Sequence, residues 1–309
     1  MPAQVGALID TTRTLLEDCV IEVSCLGLMF RERPKPLGSI VCCRIWTLMK
    51  LIAAGLTNVG MKRAHNEDSH LLVPEENLYV VADGMGGHAC GEVASDLAVT
   101  SMGDFFNETS QDEERTWPFK EERGLKYEEN RLVTGIKLAN RRIFETAQAD
   151  ARKRGMGTTI VSALFTADGA YIGHCGDSRC YRFRNGDIEL LTEDHSLLND
   201  YMKAHKLTPE EIENFPHKNV IVRALGMKDS VQVDVSRLEP QPDDVYMLCS
   251  DGLSGMVTDE DMNAAVQDYL QDEERSDQVN SICSMLIDMA NANGGNDNVT
   301  CICIKVKGD

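Results

Sequence analysis

Hydrophobic positions along the chain repeat with two different periods, and the two periods occupy separate blocks. Helical spacing of apolar residues predicts long helices over about residues 91–107 and 127–154, and a second pair over about 259–270 and 276–291. Short apolar runs bounded by turn residues predict strands at 49–57, 70–73, 78–82, 158–166, 170–175, 180–184, 188–191, 220–224, 231–238, 245–249 and 299–306. The polar segment 195–216 is predicted to be a short-helical insertion between strands.

Two dipeptides mark tight turns inside the central β-rich block. Asp168-Gly169 and Asn185-Gly186 each separate two strand-like runs, and both dipeptides are strong hairpin signals. We therefore expect an antiparallel meander over residues 158–191. Antiparallel strands interrupted by two pairs of long helices are typical of an α+β protein built in layers.

The first 48 residues differ from the rest of the chain. They contain mixed apolar patches and no regular period beyond a short helix near residues 11–23. The regular pattern begins at Met49, which is also a candidate start of translation. We expect an N-terminal extension over 1–48 and one folded domain over 49–309, and an N-terminal helix that packs on the domain stays an alternative.

Charge and cysteine usage narrow the class of protein. A net charge of −19 argues against nucleic acid or an anionic membrane as the partner, because either would repel the chain. The 11 cysteines form no Cys-x-x-Cys pair and lie in apolar runs, which favours buried thiols over disulfides or zinc. The sequence has no secretory signal and no charge-free apolar stretch of about 18 residues, so we expect a cytoplasmic protein.

The predicted strand at 78–82 runs directly into Asp83 and a glycine-rich turn, Gly-Met-Gly-Gly, at 84–87. From Gly84 onward the letters fit a dinucleotide-binding fingerprint, and Asp104 lies about 20 residues further on, where a ribose-binding acid is expected. A dinucleotide fold requires a parallel strand after the first helix, whereas here a second long helix and hairpins follow. Asp83 would also place a carboxylate beside the pyrophosphate. We therefore reject the nucleotide interpretation.

Aspartates recur at the ends of predicted strands. Asp251 follows the strand 245–249, Asp177 follows 170–175, and Asp297 precedes the last strand. Any one of them is explained by the preference of turns for aspartate. Together with Asp83 they place several carboxylates at strand ends, where a buried carboxylate is costly unless it is paired or binds a metal. Clustered carboxylate oxygens suit Mg²⁺ or Mn²⁺.

A further group of chemically active residues precedes the strand 78–82. In extended chain, Arg63 and Glu67 would share one face and Asp68 would point the other way unless a turn intervenes. A metal ligand and an arginine directed at the same place suit a site that handles phosphate, because arginine grips phosphate oxygens bidentately. An exposed salt bridge is the simpler alternative for Arg63.

Taken together, the motifs resemble those of the metal-dependent protein phosphatases, the type 2C serine/threonine phosphatases, especially the compact bacterial kind. The resemblance covers residues 49–307 and rests on five motifs in order: Arg-x-x-Asn-Glu-Asp at 63–68, Val-Ala-Asp-Gly-Met-Gly-Gly-His at 81–88, Gly-Asp-Ser-Arg at 176–179, Ser-Asp-Gly-Leu at 250–253 and Gly-Gly-Asn-Asp-Asn-Val-Thr at 294–300. The family fold is a β-sandwich of two antiparallel sheets with helix pairs outside. The resemblance implies a cytosolic enzyme that removes phosphate from serine and threonine in proteins.

The resemblance also implies roles for individual residues. Asp83 would bridge two Mn²⁺ or Mg²⁺ ions, with Asp251 and Asp297 on one ion and Glu67 and the Gly84 carbonyl on the other. Asp177 and Asp251 match a third metal site of bacterial members. Arg63 would hold the phosphate, while Asp68 would orient metal-bound waters, and a water bridging the two ions would attack phosphorus in line. No covalent phosphoenzyme is needed.

The sequence departs from eukaryotic relatives at Met85, where they carry the histidine that protonates the leaving group. His88 is a substitute for that acid or, more simply, starts the next helix, and a metal-bound water is an equal candidate. The insertion 195–223 corresponds to the family's flap; His195 and His205 are expected at its surface or in turns, and Arg223 either in a salt bridge or near the substrate.

We expect a monomer that acts on phosphorylated proteins, opposing bacterial serine/threonine kinases. An inactive phosphoprotein-binding module with the same fold is one alternative. A regulatory phosphatase that acts on a partner-switch protein is another.

Overall fold

The structure is a computed structural model that describes residues 50–86, 90–111, 117–205, 207–213, 215–216, 220–271 and 279–307. The predicted extension 1–48 and His88 lie outside these residues. The strands are β1 Lys50–Asn58, β2 Asp68–Val73, β3 Leu78–Met85, β4 Gly157–Thr158, β5 Ile160–Thr166, β6 Gly169–Cys175, β7 Arg179–Arg184, β8 Asp187–Leu190, β9 Asp234–Leu238, β10 Val245–Cys249 and β11 Val299–Lys307. The α-helices are α1 Cys90–Gln111, α2 Tyr127–Ala149, α3 Leu197–Ala204, α4 Pro209–Glu213, α5 Asp251–Ser254, α6 Asp259–Gln271 and α7 Val279–Ala292.

The strands form two sheets, and all the pairs described in them are antiparallel. Sheet I has the order β1-β11-β10-β7-β8, and sheet II has the order β2-β3-β5-β6-β9 with the short β4 paired to β3. Side chains alternate between the two faces of a strand, so each sheet has one face toward the other sheet and one toward helices. Strands covered on both faces are expected to be apolar nearly throughout. Strands β5, β6 and β10 are buried over almost their whole length.

The two sheets pack face to face around an apolar core, and helices cover their outer faces. Residues of the inter-sheet core include Val81, Val161, Ile172, Tyr246, Leu248, Ile302 and Ile304. A second core joins sheet II to α1 and α2, and a third joins sheet I to α6 and α7. The architecture has four layers in the order α-β-β-α. This arrangement confirms the predicted α+β sandwich with flanking helix pairs.

The predicted meander over 158–191 is wrong, although both predicted hairpins exist. The Asp168-Gly169 turn joins β5 to β6 in sheet II, and the Asn185-Gly186 turn joins β7 to β8 in sheet I. Between them, β6 pairs with β9 and β7 pairs with β10, so the chain passes from one sheet to the other at residues 176–178. Gly176 makes this crossing at φ +120°, and a Cβ there would lie 2.6 Å from the Thr159 side chain. The turn signals specify hairpins but not the sheet to which each hairpin belongs.

Three other predicted elements differ from the structure. The predicted strand 220–224 is absent: Ile221 and Leu225 make only isolated bridges to Ser196 and Thr158. The strand predicted at 231–238 begins at Asp234, and the helix predicted over 127–154 ends at Ala149. The start of the helix predicted at 276 lies outside the described residues. The backbone of 220–224 instead hydrogen-bonds to the start of the insertion, from the Leu197 N–H to the Val220 carbonyl and from the Val222 N–H to the His195 carbonyl, and Val220 and Val222 stay exposed. This tertiary choice is one that local propensity does not specify.

We predict that the inter-sheet core is the main source of stability of the sandwich. Ile302 is fully buried in it. Truncation of Ile302→Ala should lower the free energy of unfolding by about 2–5 kcal/mol because it leaves a cavity, whereas Ile302→Val should cost only about 0.5–1.5 kcal/mol. Urea denaturation at unchanged m-value measures both. Equal, small losses in the two variants would contradict the tight packing of the sheets.

Candidate active site

The site begins where β2 and β3 run side by side. Asp68 and Asp83 are directly paired in the register of these strands, and the Gly84 N–H donates to the Glu67 carbonyl at 3.1 Å. Antiparallel pairing therefore brings the 63–68 motif and the glycine-rich turn to one end of sheet II. The sequence separation of these motifs hides this proximity, which only the strand register reveals.

Sheet I supplies the opposite side of the site. Asp251 begins α5 directly after β10, and Asp297 lies just before β11, which neighbours β10. The Ser250 N–H donates to the Thr300 carbonyl at 3.0 Å, and the Thr300 N–H donates to Ser250 Oγ at 3.0 Å. These bonds hold the two aspartate-bearing ends of sheet I together. All the predicted aspartates except Asp177 are thus placed by paired strands.

Asp68 connects the two sheets. Its Oδ2 accepts hydrogen bonds from Ser250 Oγ at 2.8 Å and from Thr300 Oγ1 at 2.6 Å. Its Oδ1 is buried and has no hydrogen-bond partner in the structure. Burial raises the pKa of Asp68 to about 6, against the opposing effect of the two hydroxyl bonds. Ser250 and Thr300 were not predicted as functional residues, although both stand inside the motifs that carry the aspartates.

Asn298 is a second residue that the sequence analysis missed. Its Nδ2 donates to the carbonyls of Val59 and His65 at 2.9 Å each, and its Oδ1 accepts from the Glu67 N–H at 2.8 Å. One buried amide thereby ties the 59–67 loop to the start of β11. The Asp-Asn-Val letters of the last motif carried this signal, but an asparagine among turn residues is not distinctive by itself.

Asp83 lies at the centre of the site and is held from the backbone. Its N–H donates to Thr159 Oγ1 at 3.0 Å, and its carbonyl accepts from the Thr159 N–H at 2.8 Å and from Thr158 Oγ1 at 2.8 Å. Its carboxyl group is in hydrogen-bond contact with that of Asp251. Burial, and then the charges of Asp68, Asp251 and Asp177, raise the pKa of Asp83 well above its usual value. The backbone therefore fixes a carboxylate among other carboxylates.

The neighbouring carboxylates show the same crowding. Burial first and then Asp297 raise the pKa of Asp251. Asp177 is 9% exposed and its Oδ1 has no partner in the structure. Burial, Asp251 and Asp194 raise the pKa of Asp177 to about 7. We use the name acidic cleft for the carboxyl groups of Glu67, Asp68, Asp83, Asp177, Asp251 and Asp297.

Two glycines let the backbone close around one side of the acidic cleft. A Cβ on Gly84 would lie 2.2 Å from the Gly91 carbonyl oxygen and 2.4 Å from that of Glu67, so no larger residue fits there. Glu67 Oε1 and the Gly84 carbonyl oxygen each lie 2.8 Å from the position that a Cβ on Gly91 would occupy. A side-chain oxygen and a backbone oxygen therefore converge beside the start of α1.

Arg63 lies in a different geometry from the one predicted. Residues 59–67 form turns rather than extended chain, because the N–H groups of Met61 and Lys62 both donate to the Gly295 carbonyl. A turn therefore intervenes, and strand alternation does not decide where Arg63 and Glu67 point. Arg63 Nη2 instead donates to Asp297 Oδ2 at 2.6 Å, and the arginine side chain is 49% exposed. An ion pair at the rim of the acidic cleft is what the structure describes.

The other candidates fall into place around the cleft. Met85 is half-buried at the end of β3, and His205 is exposed. His195 is 5% exposed, so its predicted surface position is wrong. Arg223 forms an ion pair with Asp234 at 2.6 Å, which confirms the salt-bridge alternative. The buried Cys175 and Cys249 have pKa values raised to about 12 by burial, which excludes them as thiolate nucleophiles.

No helix in the described part of the chain is both long enough and apolar enough to cross a membrane.

Comparison with known proteins agrees with this geometry. The sequence profile of the protein phosphatase 2C family matches residues 61–286. The chain is 34% identical over 256 residues to the serine/threonine phosphatase stp of Listeria welshimeri, covering 81% of this chain and 93% of that protein. It is likewise 34% identical over 251 residues to the protein phosphatase PhpP of Streptococcus pneumoniae, covering 79% of this chain and 93% of the relative.

Solved structures give the same result. The Mycobacterium tuberculosis serine/threonine phosphatase PstP/Ppp superposes with a TM-score of 0.70 at 31% identity, covering 85% of this chain and all of that one. A PstP catalytic domain in complex with two manganese ions superposes with a TM-score of 0.66 at 30% identity, covering 85% of this chain and all of that one. The motifs, the four-layer sandwich and these similarities lead to one conclusion: the chain belongs to the protein phosphatase 2C family of serine/threonine protein phosphatases.

Proposed function

We propose that the chain hydrolyses phosphoserine and phosphothreonine in proteins and that its acidic cleft holds Mn²⁺ or Mg²⁺ for this reaction. The observation that carries the proposal is the concentration of carboxylates from both sheets. Among the ion pairs of the described residues, Arg63 with Asp297 is the one that neutralises a member of the cleft. Crowded carboxylates without matching cations are costly unless metal ions compensate their charge.

The donor set fits these metals. All the candidate ligand atoms are oxygens. Mg²⁺ and Mn²⁺ prefer oxygen ligands, whereas structural zinc sites do not. Asp83, Asp251, Asp297, Glu67 and the Gly84 carbonyl would hold two ions, with Asp83 common to both. Asp177 with Asp251 would hold a third. The unpartnered Oδ1 atoms of Asp68 and Asp177 support this assignment, because buried polar atoms normally have partners.

Divalent ions bound here would act as Lewis acids on the phosphoryl oxygens, and they would lower the pKa of their bound water to near neutrality. The protein's own residues add positioning and charge. The ion pair with Asp297 holds the Arg63 guanidinium at the rim of the cleft, where it is half exposed. From there Arg63 would bind the oxygens of a phosphate group. The buried Oδ1 of Asp68 is free to accept a hydrogen bond from water in the cleft, and its Oδ2 is fixed by two hydroxyl groups.

A cavity of about 310 Å³ extends from the acidic cleft toward the insertion 195–223. Asp177 and Asp251 line it on the cleft side, and Leu198 and Met202 of α3 line it on the other. We infer that this cavity accepts the residues beside the phosphorylated serine or threonine. The insertion then acts as the flap that contributes to the choice of substrate.

The partners follow from the reaction. Phosphorylated proteins are the substrates, serine/threonine kinases are the opposing enzymes, and the net charge of −19 disfavours nucleic acid and anionic membranes. We propose a cytoplasmic monomer. Met85 cannot donate a proton, so water in the cleft protonates the leaving group in this scheme. His88, which lies outside the described residues, is the other candidate for the general acid.

We predict Mn²⁺-dependent release of phosphate from a phosphothreonine peptide. The Asp83→Asn variant should lose at least about 100-fold in kcat/KM, because a change to an outer partner of a metal ligand alone typically costs 10–100-fold. Asp187→Asn is the matched control: Asp187 is exposed at the β7–β8 turn, at the opposite end of β7 from the cleft, and should leave kcat/KM unchanged. Colorimetric assay of free phosphate measures all three proteins.

An unmutated protein that binds Mn²⁺ and the phosphopeptide without releasing phosphate would overturn the enzymatic proposal. That outcome would favour the inactive phosphoprotein-binding module instead.

We also predict that Asp83→Asn stabilises the protein without metal. Removal of one carboxylate from the crowded cleft relieves like-charge repulsion, and the melting temperature should rise by about 2–6 °C in chelator. With Mn²⁺ at about 100 times its dissociation constant, the unmutated protein should gain about 2.7 kcal/mol and become the more stable of the two. Calorimetric melts with and without Mn²⁺ test this reversal. A lower melting temperature of Asp83→Asn under both conditions would contradict electrostatic crowding in the cleft.

A further inference from the structure

Gly176, the residue before Asp177, is held on both of its backbone groups by His195. The backbone N–H of His195 donates to the Gly176 carbonyl at 2.9 Å, and the backbone N–H of Gly176 donates to the ring nitrogen Nδ1 of His195 at 3.0 Å. Gly176 lies in the crossing between the sheets at a positive φ, where no strand partner satisfies its backbone. One histidine therefore replaces the missing sheet partner of the turn that carries Asp177.

Nδ1 of the His195 ring carries no proton, because it accepts the hydrogen bond from the Gly176 N–H. Nε2 faces Asp234 Oδ2 at 3.3 Å, and Asp234 Oδ1 in turn accepts from Arg223 Nη1 at 2.6 Å. His174 stacks on the ring with centroids 4.8 Å apart and planes 9° apart, and its own Nε2 contacts the Glu193 carbonyl at 3.0 Å.

His174, His195 and Asp234 have the composition of a transition-metal site, since one ligand atom of each lies within 4.8 Å of the others. Arg223 argues against that role. Its Nη1 lies 3.0 Å from His195 Nε2 and donates to Asp234 Oδ1 at 2.6 Å, so the guanidinium stands beside two of the three ligand groups. It also supplies the positive charge that a metal would bring. The cluster is therefore a positioning element.

Ser178, on the other side of Asp177, connects the turn to Asp83 through Thr159. Ser178 Oγ lies 2.7 Å from Thr159 Oγ1, which accepts the hydrogen bond from the Asp83 N–H. Asp177 is thus held between His195 on one side and the Asp83 backbone on the other. Asp177 Oδ1 itself is buried without a partner, so its position depends on the two residues that flank it.

Resting on the function proposed above, we propose that His195, with its ring held by Asp234 and Arg223, is a positioning residue that sets the place of Asp177 and so the affinity of the third metal position. The flap begins at His195 and returns through Arg223. A flap residue therefore shares one hydrogen-bonded cluster with the backbone of the Asp177 turn. The hydrogen bonds described for His195 do not reach Glu67, Asp83, Asp251 or Asp297 directly, so we expect the effect to be largest at the third position.

The test compares His195→Phe with His195→Asn in equilibrium binding of Mn²⁺, measured by titration calorimetry without substrate. Phenylalanine keeps the stacking on His174 but removes both nitrogens, and the weakest Mn²⁺ should bind about tenfold less tightly, a typical cost of losing an outer partner. In asparagine, Oδ1 stands near the place of Nδ1 and accepts from the Gly176 N–H, so the affinity should stay within about threefold of the unmutated protein. The tighter Mn²⁺ ions should bind equally well in all three proteins.

Two further variants distinguish a loss of third-site affinity from a general folding defect. Asp234→Asn changes a residue that is 40% exposed and leaves His195 in place; it should weaken the same Mn²⁺, because it loosens the contact that holds the His195 ring. In Asp177→Asn, which removes the ligand itself, adding His195→Phe should cause no further loss. Third-site affinity unchanged in both His195→Phe and Asp234→Asn would overturn the inference, as would a loss of all Mn²⁺ ions together. Absence of phosphate release by the unmutated protein would overturn the proposed function instead, while the Mn²⁺ titrations would still decide the role of His195.

Discussion

The structure depends on one electrostatic constraint: carboxylates from two sheets are forced into a single cleft. Two like charges roughly 4 Å apart repel by about 4 kcal/mol at an effective dielectric constant near 20, which is a large fraction of a typical domain's net stability. Among the described residues, no ion pair joins Asp83 or Asp251 to a lysine or arginine, and the charge of Asp251 raises the pKa of Asp83. Bound cations would remove this electrostatic cost, so we infer that the cleft is built to bind them.

The rest of the molecule holds that arrangement in place. The inter-sheet core fixes the distance between the sheets, and Asp68 links them through hydroxyl groups of β11 and of the residue before α5. Asn298 pins the loop that carries Glu67, while Thr158 and Thr159 fix the backbone of Asp83. Polar groups that touch no substrate therefore decide the geometry. Their role also explains why three motifs carry serine or asparagine next to an aspartate: Ser178 after Asp177, Ser250 before Asp251 and Asn298 after Asp297.

Much of this organisation could be predicted from the sequence, since hydrophobic periodicity located most helices and strands and aspartates near strand ends indicated the acidic cleft. The crossing at Gly176 could not, because turn signals do not say which sheet a hairpin joins. The burial of His195 was missed because an isolated histidine in a polar segment carries no pattern. The direction of Arg63 could not be predicted from strand alternation, because turns held by Gly295 intervene, and the structure has the exposed salt bridge that was kept as the alternative.

The most direct test of the account is the position of Mn²⁺ in crystals of the protein, located by anomalous scattering at the manganese edge. The account predicts two neighbouring peaks that share Asp83, one bounded by Asp251 and Asp297 and the other by Glu67 and the Gly84 carbonyl. Strong peaks that lie away from Asp83, for example between His174 and Asp234, would contradict it, as would the absence of any peak in the acidic cleft at saturating Mn²⁺.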